Sequence, residues 1–387
     1  MIEPKLRFKA DDGSQFPDWE KKKLEDVVEF LDGQRKPLEA GQRVSGKYPY
    51  YGASGIIDYV EDYIFDEELI LLSEDGANIL DRNYRVCFLA KGKYWVNNHA
   101  HVLRAMDGNV NGFICEQLET FDYRKYNSGG AQPKLNQATC RAIIMNMPSF
   151  SEQQKIAEFL STIDIVIEKQ KETVSAWEER KKGVMQKLFS QEVRFKADDG
   201  SDFPDWEKKP FGDVVSEFKV KTKVENEDIL LSCAINGVFL NSELFGHQRG
   251  QSNIGYLKIK KGTLILSAQN LHLGNANVNL RFEHGIISPA YKTYDIVGCS
   301  VEYMNQWVKW DLAKQFFYNA TTVGASGCRR NVDWEMLYSQ LFSVPCLEEQ
   351  QKIADCLSSL DEVIEKQKVT LAAWEELKKG LLQQMFV

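Results

Sequence analysis

Two stretches of the sequence place residues at spacings that catalysis uses. Gly41 to Tyr48 reads G-Q-R-V-S-G-K-Y, close to the loop whose backbone amides and lysine cradle nucleotide phosphates. That chemistry also needs a Ser or Thr after the lysine to hold magnesium, and a strand leading into the first glycine. Tyr48 takes the hydroxyl position here, and no clear strand precedes Gly41. The run Pro17-Asp18-Trp19-Glu20-Lys21-Lys22, repeated from Pro204 to Lys209, has the letters of a metal-dependent nuclease. A nuclease sets its acids on separate strands so that they share a metal. These acids are adjacent, so the run reads as a turn with an anchoring tryptophan. There is no glycine-rich loop of the kind that holds S-adenosylmethionine, and no N-P-P-[FY] or D-P-P-[FY] element for amino-group methylation. The cysteines, Cys87, Cys115, Cys140, Cys233, Cys299, Cys328, Cys346 and Cys356, form no C-x-x-C pair. They read as reduced, mostly buried thiols rather than metal ligands. No catalytic constellation emerges.

Other residues suit recognition. Asn97, Asn98, His99 and His101 form a polar cluster after an apparent strand. Ser128 to Asn136 (S-G-G-A-Q-P-K-L-N) and Val323 to Asn331 (V-G-A-S-G-C-R-R-N) each set a small-residue turn before basic side chains and an Asn. Such a turn lets backbone N–H groups approach a phosphate while the cation reaches the backbone or a base edge. The same letters also suit an ordinary surface loop. Asn and Gln amides match adenine, and Arg and Lys match guanine or phosphate. The candidate nucleic-acid contacts are therefore Tyr50, Ser54, Asn97, Asn98, His99, Lys134, Gln269, Asn270, Arg329 and Arg330. A net charge of −8 is the wrong sign for a lone protein that grips a phosphate backbone. Binding would need a basic local face, with a partner supplying further positive charge.

The elements that must carry these residues are doubled. Arg7–Ser14 (R-F-K-A-D-D-G-S) recurs unchanged at Arg194–Ser201, and both copies continue to F-P-D-W-E-K-K. Glu152–Phe189 aligns with Glu349–Phe386 without a gap, with 25 identities in 38 positions. Between the matched blocks lie dissimilar regions punctuated by short β-like runs, among them Leu69–Ser73, Arg85–Leu89, Val102–Arg104, Tyr256–Ile259 and Thr263–Ser267. A shared frame thus carries two different readers.

Within the long blocks, Ile156, Leu160, Ile163, Ile167, Gln170, Val174, Trp177, Lys181, Val184 and Leu188 step by four and three, the a/d seam of a coiled coil. Ile353, Leu357, Leu360, Ile364, Gln367, Leu371, Trp374, Lys378, Leu381 and Met385 repeat it. Ser151 is the expected N-cap, and the lysines near the far end suit the helix dipole. The seam fits a partner chain or self-pairing. Two like helices in one chain favour antiparallel self-pairing, with Gln170 and Gln367 fixing register at the crossing. The expected pairing set is Ile163, Ile167, Gln170 and Val174 against Leu360, Ile364, Gln367 and Leu371.

The expected architecture is α+β: two mixed α/β globular domains joined by two long antiparallel coiled-coil helices about a pseudo-two-fold axis. The first domain covers 1–150 with repeat block 7–22, and the first helix 151–190. The second domain covers 191–347 with repeat block 194–209, and the second helix 348–387. Hydrophobic content of 43% and charged content of 27% suit a soluble globular chain. With no signal peptide and no membrane-spanning run, the expected location is cytoplasmic.

The doubled E-Q-Q-K-I-A with its upstream Pro148 and Pro345, the D-x-V-I-E-K-Q-K run, the K-K-G-x-x-Q-x-x-F ending and Y-Y-G-A-S-G-x-I-D-Y at Tyr50–Tyr59 resemble the specificity subunits of type I restriction-modification enzymes. The resemblance covers the whole chain. It implies that each globular domain is a target recognition domain reading one half of a split double-stranded DNA site in the major groove. The helices would space the domains and dock two methyltransferase subunits, with two motor-nuclease subunits completing the enzyme. S-adenosylmethionine, ATP and magnesium would belong to those partners, with no cofactor or metal in this chain. The family does not hand over base-contacting residues, because its recognition domains are the variable part. A coiled-coil adaptor with two protein- or glycan-binding modules is the alternative. It would show no salt-sensitive DNA binding.

Overall fold

The computed structural model describes residues 4–245, 252–323 and 330–386. The chain divides into two compact units, Met1–Glu172 with Val369–Val387, and Thr173–Lys368. The division falls within both long helices, Phe150–Phe189 and Leu347–Met385, so each unit holds one globular part and a portion of each helix. The first long helix starts at Phe150 and the second at Leu347. Ser151, however, lies inside the first helix, and Gln153 N–H donates to the Ser149 carbonyl, so the chain enters the helix before the expected cap.

In the first unit an antiparallel sheet runs in the order Val28–Phe30, Ala100–Ala105, Leu69–Ser73, Cys87–Ala90. The strand Leu69–Ser73 is buried on both faces, as its unbroken apolar run requires. Ile70 and Leu72 enter one core with Phe113, Ile114 and Leu118 of the helix Asn111–Thr120, while Leu69 and Leu71 enter another with Phe65, Tyr94 and Val96. The alternation follows from side chains projecting to opposite faces. A second sheet joins Gly55–Val60, Ser45–Gly52, Lys93–Val96 and Phe65–Asp66 in that order. Its first two strands form the hairpin that carries Y-Y-G-A-S-G.

The second unit repeats the first sheet as Val215–Phe218, Tyr291–Ile296, Leu264–Ser267, Ala276–Val278. Leu264 and Leu266 enter the core with Phe317 and Trp307, and Ile265 enters the smaller one with Leu231 and Ile259. The counterpart of the second sheet differs, being two two-stranded ribbons, Leu231–Ala234 with Gly237–Leu240 and Leu257–Lys260 with His284–Ile287, bridged at Leu230 and Ile286.

Within each unit the long helices run antiparallel. In the first, Lys378 Nζ is 2.6 Å from Asp164 Oδ1 and Lys171 Nζ is 3.9 Å from Glu375. Ile163 and Ile167 share a core with Leu371, Trp374 and Leu381. In the second, Lys181 Nζ is 2.6 Å from Asp361 Oδ1 and Lys368 Nζ is 2.6 Å from Glu178. Leu357 and Leu360 pack with Val184, Met185 and Leu188. Val174 and Ile364 are buried, while Gln170 and Gln367 are half-buried. Lysine at a seam position is explained by the carboxylate it meets from the opposing helix. Among the described residues, no helix is long and apolar enough to cross a membrane.

Candidate nucleic-acid interface

The repeated letters build one clamp, made twice. Glu152 is fully buried, and its carboxylate takes Arg7 Nε (3.0 Å), the second Arg7 nitrogen (2.8 Å) and the Trp19 indole N–H (3.2 Å). Arg7 also donates to the Pro17 carbonyl at 2.7 Å. Glu349, Arg194, Trp206 and Pro204 repeat the arrangement at 3.0, 2.7, 2.9 and 2.6 Å. A bidentate guanidinium–carboxylate pair is among the strongest of polar contacts. Gln153 and Gln350 complete the frame. Each accepts a backbone N–H from the globular part, of Val110 and Ser300, and each donates to the carbonyl of the preceding proline, Pro148 and Pro345. A short antiparallel ribbon closes each neck, with Glu20 opposite Met147 and Glu207 opposite Val344.

Beyond the neck of the first unit, four turns are stitched into one edge. Ser73 Oγ donates to the Ala53 carbonyl, Asn97 N–H to Tyr51 and Glu74 N–H to His99. Gly76 N–H donates to Pro133 and Leu135 N–H to Glu74. This edge collects Ser54, Asn98, His99 and Lys134, all exposed. Lys134 Nζ is 3.3 Å from Glu74, and His99 Nδ1 is 2.9 Å from Asp75. Two expected contacts are corrected. Tyr50 is 1% exposed and its hydroxyl accepts the Leu38 N–H at 2.9 Å, so it supports the hairpin from within. Asn97 is 4% exposed and its Oδ1 accepts the His99 N–H, so it shapes the turn that displays its neighbours.

In the second unit Gln269 and Asn270 are exposed just beyond the strand Leu264–Ser267. Asn270 N–H donates to Ser267 Oγ at 3.1 Å. Arg330 is half-buried: its guanidinium lies 4.1 Å over the Tyr318 ring and donates to the hydroxyl and carbonyl of Thr321, each at 2.7 Å. It ties its strand down. Arg329 lies outside the described residues.

Sequence reasoning missed what holds these edges. His101, noted only as part of a polar cluster, is 1% exposed and sits 2.7 Å from Asp32 and 2.8 Å from the Leu135 carbonyl. Burial opposes its charge, but bonding to Asp32 and Cys140 and the charge of Asp32 prevail, lifting its pKa to about 10. At the matching register of the second unit stands Lys292, opposite Leu266 as His101 is opposite Leu72. Lys292 Nζ is 2.7 Å from Glu217 and lies 4.2 Å over the Trp334 ring. Burial lowers its pKa, but Glu217 and Tyr338 more than offset this and hold it above the usual lysine range. A His-x-His after a strand was the only local sign of the first cluster. The second gave none.

Residues 17–174 match the family model described as the type I restriction modification DNA specificity domain. The putative type I restriction enzyme specificity subunit S.HindORF215P of Haemophilus influenzae is 36% identical over 37% of this chain and 36% of its own length. This chain thus aligns with about a third of that relative. The MjaVIII specificity subunit of Methanocaldococcus jannaschii is 23% identical over 97% of this chain and 94% of its own. The type I restriction-modification S subunit from M. genitalium shares the fold, with a TM-score of 0.62 at 14% identity, over 100% of this chain and 99% of that one. With the clamp doubled and both globular parts built on one sheet order, the chain is similar in sequence and fold to type I restriction-modification specificity subunits.

Proposed function

We propose that this chain is the sequence-reading subunit of a type I restriction-modification complex, each globular part reading one half of a bipartite double-stranded DNA site. The doubled clamp carries this reading. It ties the entry and exit of each reader to the same helix end, which suits two interchangeable modules on a fixed frame. Ser54, Asn98, His99 and Lys134 are the candidate contacts of the first reader, and Gln269, Asn270 and Arg329 those of the second. Arg330 is half-buried against Tyr318 and supports its strand. The paired helices, with Gln170 and Gln367 setting register, hold the readers apart and dock two methyltransferase subunits. Two motor-nuclease subunits join in the full enzyme. S-adenosylmethionine, ATP and magnesium serve those partners, this chain performs no chemistry, and the complex works in the cytoplasm.

Replacing residues 24–143 with the corresponding region of a relative of different specificity tests the reading. Methylation mapping in the host is expected to show one changed half-site, with the other half-site and the spacing retained. A change in both half-sites, or no methylation tied to this gene, would overturn it.

A further inference from the structure

We infer that His101 is an imidazolium at neutral pH and the positioning residue that locks the loop 127–136 onto the sheet edge of the first unit. The inference deepens the proposed function, since that loop carries Lys134.

The geometry leaves the ring no other state. Nε2 lies 2.8 Å from the Leu135 carbonyl oxygen, which can only accept. Nδ1 lies 2.7 Å from Asp32 Oδ2. Asp32 is surrounded by donors. Its Oδ1 takes the Val102 N–H at 2.9 Å, its Oδ2 takes Gln137 Nε2 at 2.9 Å, and the Arg35 guanidinium stands 3.6 Å away. A carboxylate that receives donors on both oxygens is ionised and has no proton to give. Both ring nitrogens must therefore donate. The remaining neighbours agree. Glu74 stands 3.8 Å from Nδ1 and is itself paired with Arg35 at 2.7 Å and Lys134 at 3.3 Å. Phe30 meets the ring edge-on, and the Arg141 guanidinium lies 4.4 Å over the Phe30 ring. Cys140, in the helix Gln137–Arg141, also lies near the ring and favours its charged form.

The ring helps fix one residue of the loop. Leu135 N–H is held by the Glu74 carbonyl at 2.7 Å and its C=O by the imidazolium. The residue before it is Lys134, and the next, Asn136, accepts the Thr139 N–H to start the helix Gln137–Arg141. Gln137 returns to Asp32. Strand, loop and helix thus meet on one cation. The second unit supplies an independent parallel: Lys292, at the same register, lies over Trp334, the first residue of its own helix Trp334–Ser339. A fixed cation between the sheet and the helix after the candidate loop is common to both units.

The test uses the full chain, assembled with its methyltransferase subunits. Nitrogen-15 labelling of the histidines at pH 8.5 is expected to reveal one doubly protonated imidazole, absent from His101→Gln. Hydrogen exchange of the amides in 127–136 is expected to quicken about tenfold in His101→Gln, the scale of one charged hydrogen bond. His101→Lys should restore most of the protection. Neutral rings throughout the wild-type spectrum, or unchanged exchange in His101→Gln, would overturn the inference. Discrimination at the first half-site is then measured against the second. A selective loss supports the loop's role in reading. Faster exchange with full discrimination would leave His101 as the lock and sink the assignment of this loop to DNA.

Discussion

Arg7 and Arg194 bind their carboxylates with nearly the same distances, whereas His101 and Lys292, at one strand register, grip different things. The first pair belongs to the repeated blocks and the second to the dissimilar regions. Constancy of residues runs along the frame and through the points where each reader is tied to it. Beyond them the same sheet position keeps its positive charge but changes its chemistry. His101 reaches a loop carbonyl, while Lys292 reaches side chains of its own sheet and helix. The frame is held to its residues atom by atom, and the readers only to a pattern of burial and charge.

The largest test of that contrast is removal of the clamp. Arg7→Ala and Arg194→Ala each leave a fully buried carboxylate with only an indole donor named above. Each is expected to cost its own unit about 3 kcal/mol, as for a buried pair robbed of one partner. Urea unfolding read by tryptophan fluorescence measures it. Costs differing by more than about 2 kcal/mol would break the equivalence of the two frames.

The buried seam lysines come next, and here the units should differ. Lys378 lies between Asp164 at 2.6 Å and Glu116 at 3.3 Å. Lys181 faces only Asp361 among its named partners, and the other oxygen of that carboxylate takes the Gln306 amide at 2.9 Å. Lys378→Met is expected to destabilise by about 2 kcal/mol and Lys181→Met by about 1 kcal/mol, again by urea unfolding. The reverse order would mean that Arg85, 2.7 Å from Glu116, already satisfies that acid.

Alkaline titration sharpens the loop comparison. His101 has its pKa raised from 6.5 to about 10. Its contribution is therefore fully present below about pH 6.5 and is lost as pH rises through the folded-state value. The stability gap between wild type and His101→Gln should shrink steadily from pH 7 to pH 10. The gap for Lys292→Gln should hold across that window, because Lys292 is raised above the usual lysine range. Thermal melts across the range decide it, and parallel gaps would refute the different chemistry. The smallest effect is expected at Lys134. Lys134→Ala, at an exposed pair, should change stability by under ~0.5 kcal/mol yet lower the salt slope of DNA binding by about one.

The frame was legible in the sequence because its signals are periodic or repeated. The four-three stepping located both helices and put Lys181 and Lys378 in the seam, but it did not reveal the carboxylates they meet. The repeats announced the clamp without revealing its bonds, since Arg7 and Glu152 are 145 residues apart. The candidate contacts were legible only as residue types. Tyr50 and Asn97 carry polar groups that base recognition can use, but those groups are satisfied by local backbone, which composition does not disclose. Asp32 and His101 are 69 residues apart, and nothing near either signals the other. Long-range polar satisfaction is a property of the packed chain.

The neck ribbons have a geometric consequence. Glu20 to Lys23 lies alongside Met147 to Ile144, and Glu207 to Pro210 alongside Val344 to Leu341. Each reader is thus an excursion that returns to its own starting point. The vector from departure to return is one strand spacing, about 4.8 Å, whatever path the chain takes in between. Residues 211–340 contribute almost no net displacement to the backbone that links one helix to the next, and 24–143 almost none to the backbone between the first repeat block and the first helix. A reader can lengthen, shorten or refold its tips while the helices keep their phase and position. In the language of a surveyor's traverse, each circuit closes, so changes made along it never reach the baseline.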